Sequence, residues 1–129
     1  MYYVTDTHSL IWYLTEDKKL GKNALSIFND ADNGKAIIIV PTIVLAEIIS
    51  ICEKKRVELK IREVLDKIKN SLNYIPYSLD VETLEKVISI KNIPEIHDKI
   101  IVAISLLTNS KLITKDKEIV NSKLVEAIW

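Results

Sequence analysis

Tyr2-Tyr3-Val4-Thr5-Asp6 places an acidic residue directly after a short aromatic and β-branched run, a composition typical of a β-strand. Three other stretches also join an acidic residue to an apolar segment. They are Pro41-Thr42-Ile43-Val44-Leu45-Ala46-Glu47, His97-Asp98-Lys99-Ile100-Ile101-Val102-Ala103 and Leu112-Ile113-Thr114-Lys115-Asp116. A half-buried carboxylate is costly to desolvate unless it is paired or holds a metal ion. The four acids therefore need a common explanation.

Around these stretches, apolar runs of strand length alternate with segments of helical spacing. The run Ala36-Ile37-Ile38-Ile39-Val40 is typical of a strand that is buried on both faces. The pattern predicts strands at 2–5, 36–40, 74–77, 112–114 and 124–128. It predicts helices around 10–14, 23–31, 42–52, 59–72, 80–90 and 97–108, with Pro41 in a first helical turn and one further turn at 118–120. Strands separated by helices predict an α/β fold with a parallel sheet covered on both faces.

The predicted topology brings the four acids to one edge of that sheet. Ligands of parallel sheets bind beyond the carboxyl ends of the strands, where Asp6 and Asp116 follow directly. Glu47 and Asp98 lie in the first two turns of helices that start at the same edge, and helix N-termini favour negative charge. Four converging carboxylates repel one another, and a divalent cation relieves that repulsion. Carboxylate oxygens suit Mg²⁺ or Mn²⁺ better than zinc.

Composition restricts the class of protein. The length of 129 residues predicts a single domain over 1–129. The 18 basic and 18 acidic side chains balance, so a nucleic-acid enzyme of this sequence would have to concentrate its lysines locally. A single cysteine, Cys52, excludes an intramolecular disulfide framework and fits a reducing cytosol. No stretch resembles a signal peptide or a membrane span, so a cytoplasmic protein without membrane attachment is expected.

Each acid also has an ordinary structural interpretation. Asp6 could cap the helix that follows it, and Glu47 could be a solvated helical residue. Asp98 could serve only as an anion at a helix start, and Asp116 could lie in a charged turn. The four acids recur at one predicted edge, which favours a common site over four separate structural roles.

Other chemically active residues give weaker indications. His8 and His97 have no cysteine partners and match no zinc pattern, and His97 is expected to cap or orient the helix that carries Asp98. The run Lys54-Lys55-Arg56 is typical of a solvated helix end. Trp12 is expected in the core or at an interface, although an exposed aromatic ring could stack on a base.

Four motifs together resemble the PIN domain family, most closely its branch of bacterial and archaeal VapC toxins. They are Val4-Thr5-Asp6-Thr7-His8-Ser9-Leu10-Ile11-Trp12, Ala46-Glu47-Ile48, Ile96-His97-Asp98-Lys99-Ile100-Ile101-Val102-Ala103 and Leu112-Ile113-Thr114-Lys115-Asp116. The resemblance implies a three-layer α/β/α sandwich and a metal-dependent endoribonuclease. It implies that Asp6, Glu47, Asp98 and Asp116 hold Mg²⁺ or Mn²⁺, and that Thr114 is a small hydroxyl residue beside the last acid.

The chain departs from the family pattern at two positions. Lys99 stands where many relatives have arginine, which replaces a bidentate contact with a point charge. Only Glu118 could act as the second acid that often follows the fourth. Both residues are expected to bind substrate or to support the acids.

The resemblance further implies an RNA substrate, a cognate antitoxin protein and a homodimer. The helices at 10–14 and 45–51 carry more large apolar side chains than one core-facing stripe needs, which predicts a partner surface. A stand-alone RNA-processing nuclease and a catalytically inactive PIN-like binding module remain open. A phospho-receiver domain is disfavoured because Asp6 stands alone after the first strand and Tyr77-Ser78 occupy the place of the phospho-acceptor aspartate. An Asp-x-Asp phosphatase is disfavoured because Asp6 is followed at the second position by His8.

Overall fold

Strands and helices alternate along residues 1–129, all of which the computed structural model describes. They are β1 (Tyr2–Thr5), α1 (Thr7–Leu14), α2 (Lys22–Asp32), β2 (Ile37–Pro41), α3 (Thr42–Glu53), α4 (Ile61–Asn70), β3 (Tyr74–Tyr77), α5 (Val81–Ile88), α6 (Ile96–Leu107), β4 (Lys111–Ile113), α7 (Lys117–Ser122) and β5 (Ala127–Ile128). The order of element types is the one that the sequence predicts.

The five strands form one all-parallel sheet in the order β3-β2-β1-β4-β5. β1 is the central strand, and its Val4 lies opposite Ile39 of β2 and Leu112 of β4. Val4 and Leu112 are completely buried, because helices cover both faces of the sheet. The predicted α/β class with a parallel sheet is confirmed, as is the three-layer sandwich.

Two groups of helices enclose the sheet. α6 packs against β1 and β4, and α5 packs on α6. α1 packs on α2 and α3, α3 packs on α4, and helices of this group reach β2 and β3. In α6 the six residues from Ile100 to Ser105 are all buried, which accounts for the unbroken apolar stretch in its sequence. No helix combines the length and apolarity that a membrane crossing needs.

Three predicted boundaries are wrong in detail. Pro41 is the last residue of β2 and precedes α3, because its ψ of 135° keeps it extended and paired with Tyr77. The turn at 118–120 is part of the longer helix α7. This helix ends at Ser122, and the residue that follows it, Lys123, has a left-handed φ of 57°. β5 consequently has two residues instead of the five predicted at 124–128.

A polar cluster ties together the elements farthest from the sheet centre. The carboxylate of Asp32 accepts hydrogen bonds from the hydroxyls of Tyr13 and Tyr74, and from the Lys67 ammonium at 3.2 Å. Burial alone would raise the pKa of Asp32, but these three donors outweigh it and lower the pKa. The cluster joins α1, α2, α4 and β3 through hydrogen bonds to one carboxylate.

Candidate active site

Asp6 lies at the point where the central strand becomes a helix. Its backbone N–H donates to the carbonyl of Ile113 at 3.3 Å, which holds it against the end of β4. Its carboxylate accepts a hydrogen bond from the N–H of Ser9 at 2.9 Å and so caps α1. The Ser9 hydroxyl donates to the same Ile113 carbonyl at 3.2 Å. The capping interpretation of Asp6 is therefore confirmed, and it leaves the other carboxylate oxygen free of protein donors.

Asp116 is the third residue after β4 and, like Asp6, caps the helix that follows its strand. The buried hydroxyl of Thr114 accepts a hydrogen bond from the Asp116 N–H at 3.1 Å and fixes the bend between strand and helix. The Asp116 carboxylate caps α7 by accepting from the Ile119 N–H at 3.1 Å. Thr114 thus lies beside the last acid, as the family resemblance implies, and acts on it through the backbone.

Glu47 reaches the same edge from the second turn of α3. One carboxylate oxygen accepts a hydrogen bond from the Thr7 hydroxyl at 2.9 Å, and Thr7 is the residue after Asp6. The other oxygen lies 3.7 Å from Nδ1 of His97. Glu47 is half-buried, so the interpretation of an ordinary solvated residue is wrong.

Asp98 lies in the first turn of α6. Its N–H donates to the Glu95 carboxylate at 3.1 Å, so the cap of α6 is Glu95. The predicted capping role of His97 is wrong. The His97 ring instead lies between Glu95, at 3.3 Å, and Glu47.

The pKa of Asp98 shows that the acids share one electrostatic environment. Burial raises it first, and the charges of Asp116, Glu95, Asp6 and Glu47 raise it further, to about 6. The charge of each predicted site acid therefore acts on Asp98. Sequence reasoning missed Glu95 because an acid three residues before another acid looks like an ordinary capping residue.

The four acids carry a negative charge that the protein does not neutralise. None of them forms an ion pair with lysine or arginine, and the one basic side chain paired with any of them is His97, beside Glu47. No three His, Cys, Asp or Glu side chains are arranged to hold a metal ion as they stand. Their oxygens instead accept hydrogen bonds from Ser9, Thr7 and Ile119. The donor chemistry and the unbalanced charge fit a divalent cation, and coordination would require rotation of the side chains.

The remaining predicted residues occupy the periphery. Lys99 is half-buried on α6 and has no ion-pair partner. Glu118 is exposed in the first turn of α7 and is not among the charges that act on Asp98. The sequence analysis did not predict the roles of Thr7 and Ser9, because these roles depend on contacts with other elements: Thr7 with Glu47 on α3, and Ser9 with the carbonyl of Ile113 on β4.

Comparison with known families assigns the chain to one family. The PIN domain model matches residues 3–123, so the chain belongs to the PIN domain family. Among curated proteins, none matches this sequence.

Solved structures share the fold over nearly the whole chain. A chain in the crystal structure of VapBC2 from Rickettsia felis, bound to a DNA fragment from their promoter, superposes with a TM-score of 0.70 at 15% identity, covering 99% of this chain and 98% of that one. A chain of a toxin-antitoxin complex from Klebsiella pneumoniae gives a TM-score of 0.68 at 16% identity, covering 98% and 96%. At these low sequence identities the similarity establishes a shared fold only.

The raised pKa of Asp98 predicts that this residue destabilises the metal-free protein at neutral pH. The folded pKa of about 6 exceeds the value near 3.9 of an unfolded chain, so the folded state binds the proton more tightly. Stability should therefore fall as the pH rises through this window. Replacing Asp98 with asparagine removes the penalty, which is about 1 kcal/mol after allowance for partial exposure.

Thermal unfolding in EDTA at pH 7.5 and pH 4.5 tests this. The Asp98→Asn protein should melt about 3 °C above wild type at pH 7.5, with most of the gain lost at pH 4.5. Asp66→Asn, an exposed acid on α4, provides the matched control. Equal melting temperatures of Asp98→Asn and wild type at both pH values would show that the acids do not repel one another.

Proposed function

We propose that this protein is a metal-dependent endoribonuclease with its active site at the acidic edge of the sheet. One observation carries the proposal: four carboxylates, two after β1 and β4 and two on α3 and α6, lie at this edge without a lysine or arginine partner, in a chain of the PIN domain family. RNA phosphodiesters are the proposed substrate, and Mg²⁺ or Mn²⁺ is the proposed cofactor.

Asp6, Glu47, Asp98 and Asp116 would hold the cation. When bound, a divalent cation supplies Lewis-acid polarisation of a phosphodiester and lowers the pKa of water. The chain's own residues orient the acids: Ser9 holds one oxygen of Asp6, Thr7 holds one oxygen of Glu47, and Thr114 fixes the backbone of Asp116.

Lysines near the acids would bind the substrate. Lys115 and Lys117 line a cavity with Asp6 and Asp116, although neither forms an ion pair with them. Their ammonium groups, which have no carboxylate partner, can attract phosphate to an edge that is otherwise negative. Lys99 is proposed to add a further point charge from α6. The net charge of zero is therefore compatible with local binding of RNA.

An inactive binding module is the weaker alternative, because such a module has no need for four unneutralised acids. In the metal-free fold the charges of the other three acids disfavour the ionised form of Asp98, as its raised pKa indicates. A stand-alone processing nuclease would have the same active site and would differ only in lacking an antitoxin.

Replacing Asp6 with asparagine separates catalysis from folding. The amide oxygen of asparagine can still accept the Ser9 N–H, and asparagine is as good a helix cap as aspartate. We expect cleavage of single-stranded RNA in Mg²⁺ or Mn²⁺ to fall by about 100-fold or more. Thermal unfolding should show an intact fold.

EDTA should likewise abolish cleavage by the wild type, while Asp66→Asn should keep wild-type activity. Full activity in EDTA would overturn the metal mechanism. A wild-type rate for Asp6→Asn would place the active site elsewhere.

We further propose that the protein is the toxin of a toxin–antitoxin pair, which the likeness to a toxin-antitoxin complex supports. A shallow cavity on α3 is lined by Ile43, Ala46, Ser50 and Ile51 and leads to Glu47. An antitoxin segment lying there could insert a basic side chain among the acids. That side chain would compete with the metal electrostatically and inhibit without a conformational change.

The homodimer is also a proposal, and α5 offers the surface for it. Val81 and Ile88 are more than 70% exposed and Leu84 is 43% exposed, at spacings that place all three on one helix face. The apolar excess predicted at 10–14 and 45–51 is largely used by the core, because Leu10, Ile11, Leu45 and Ile48 are buried. The sequence analysis therefore did not predict this exposed apolar stripe on α5.

Sedimentation of the purified protein, alone and after co-expression with the small open reading frame beside its gene, tests both assemblies. The protein alone should sediment as a dimer at micromolar concentration, and Ile88→Glu should shift it to a monomer. The co-expressed product should co-purify and suppress RNA cleavage. A monomeric wild type would contradict the dimer, and a neighbour that neither binds nor inhibits would leave a stand-alone nuclease.

A further inference from the structure

A cavity next to Asp6 and Asp116 is lined by both tryptophans of the chain, Trp12 and Trp129. Lys115 lies at the same cavity. Its volume of about 490 Å³ is in the range of pockets that bind small ligands. The cavity thus combines aromatic rings and an ammonium group with two acids of the proposed active site.

The parallel sheet brings Trp129 to this cavity. β5 pairs with β4, and the Thr114 N–H donates to the Ile128 carbonyl at 3.2 Å. Trp129 therefore leaves the sheet at the edge where Asp116 follows β4.

Gly21 provides the space for the Trp129 ring. A Cβ added to Gly21 would lie 2.5 Å from the carbonyl carbon of Trp129 and 2.6 Å from its Cδ1, distances that no real contact reaches. The φ of Gly21 is −64°, which any residue can adopt, so the backbone conformation does not require glycine here. The close approach of Trp129 does.

Both indoles are half-buried, and the ring of His8 lies 5.6 Å from that of Trp12. The indole centroids are 5.8 Å apart with the planes at 72°, so the rings meet edge to face and do not stack on each other. The ammonium of Lys115 lies 4.8 Å from the Trp12 centroid and 5.6 Å from that of Trp129. Lys19 lies 5.8 Å from the Trp12 centroid.

A nucleobase would displace the lysine from these rings. An exposed cation over a ring contributes about 5-fold or less in affinity, whereas stacking of one base contributes about 5- to 150-fold. The displaced Lys115 ammonium would then be free to pair with the phosphate of the same nucleotide. Stacking and phosphate pairing therefore reinforce each other.

We propose that Trp12, Trp129 and Lys115 form a nucleobase subsite, which holds an unpaired base of single-stranded RNA next to the phosphate that is cleaved. This inference rests on the proposed nuclease function and adds the position of the substrate. A peptide segment is the less suitable occupant, because aromatic faces beside lysines match the stacking platforms and cationic grooves of single-strand binders. Stacking accepts every base, so weak base selectivity is expected.

Intrinsic fluorescence reports on this subsite directly, because the chain has no tryptophan outside the cavity. The wild type in EDTA is titrated with a short single-stranded RNA and with an abasic oligonucleotide of equal length. The RNA should quench the fluorescence to saturation, and the abasic oligonucleotide should bind more weakly with little quenching. Equal quenching by both would overturn the base subsite in favour of phosphate binding alone.

The contribution of each residue to RNA binding is tested by measuring the affinity of variants for fluorescently labelled RNA by anisotropy. Trp12→Leu and Trp129→Leu should each weaken binding by about 5- to 150-fold, and Trp129→Phe should restore most of it. Lys115→Ala should lower the salt dependence by about one phosphate contact. Lys35→Ala, an exposed lysine at the opposite edge before β2, should change nothing.

Cleavage assays separate this inference from the nuclease proposal. For both leucine variants the KM for RNA should rise while the rate at saturating RNA changes less. Unchanged affinity and KM in both variants, with active wild-type enzyme, would overturn the subsite and leave the nuclease standing. If the wild type does not cleave RNA but RNA still quenches the tryptophan fluorescence, the nuclease proposal is overturned and base binding at the cavity stands. If only the co-expressed partner quenches the tryptophans, the cavity is a protein contact and the subsite is wrong.

Discussion

The parallel pairing of β1 with β4 is the constraint on which the site depends. Val4 lies opposite Leu112 and Thr5 opposite Ile113, so both strands end at the same level. The residues that follow them, Asp6 and Asp116, therefore reach the same edge from positions 110 residues apart in sequence. An antiparallel β4 would send Asp116 to the far side of the sheet. The same rule brings Trp129 to the edge through β5.

Convergence of the acids has an energetic consequence that the fold only partly offsets. Capping hydrogen bonds stabilise Asp6 and Asp116, and Thr7 stabilises Glu47. The Asp98 carboxylate accepts no hydrogen bond, and burial together with neighbouring charge raises its pKa to about 6. Hydrogen bonds therefore stabilise three of the carboxylates, whereas the ionised form of the fourth, Asp98, is disfavoured by burial and by neighbouring charge. A divalent cation would remove that repulsion, so the fold and the proposed chemistry favour the same ligand.

The sequence predicted what depends on local pattern and missed what depends on contacts between elements. Asp6 and Asp116 could be placed because each lies within three residues of the end of an apolar strand. The role of Glu95 could not, since its spacing from Asp98 indicates only a helix cap. The contact of Gly21 with Trp129 joins residues 108 apart and leaves no periodic trace in the sequence. The exposed stripe on α5 was missed for a similar reason: burial of one helix face depends on which neighbours pack there.

Calorimetric titration with Mn²⁺ tests most directly the central claim that the four acids form one cation-binding unit. The wild type should bind Mn²⁺. The substitutions Asp6→Asn, Glu47→Gln, Asp98→Asn and Asp116→Asn should each weaken binding at least about tenfold, whereas Asp66→Asn should not. Undetectable binding by the wild type, or unchanged affinity in all four variants, would contradict the account.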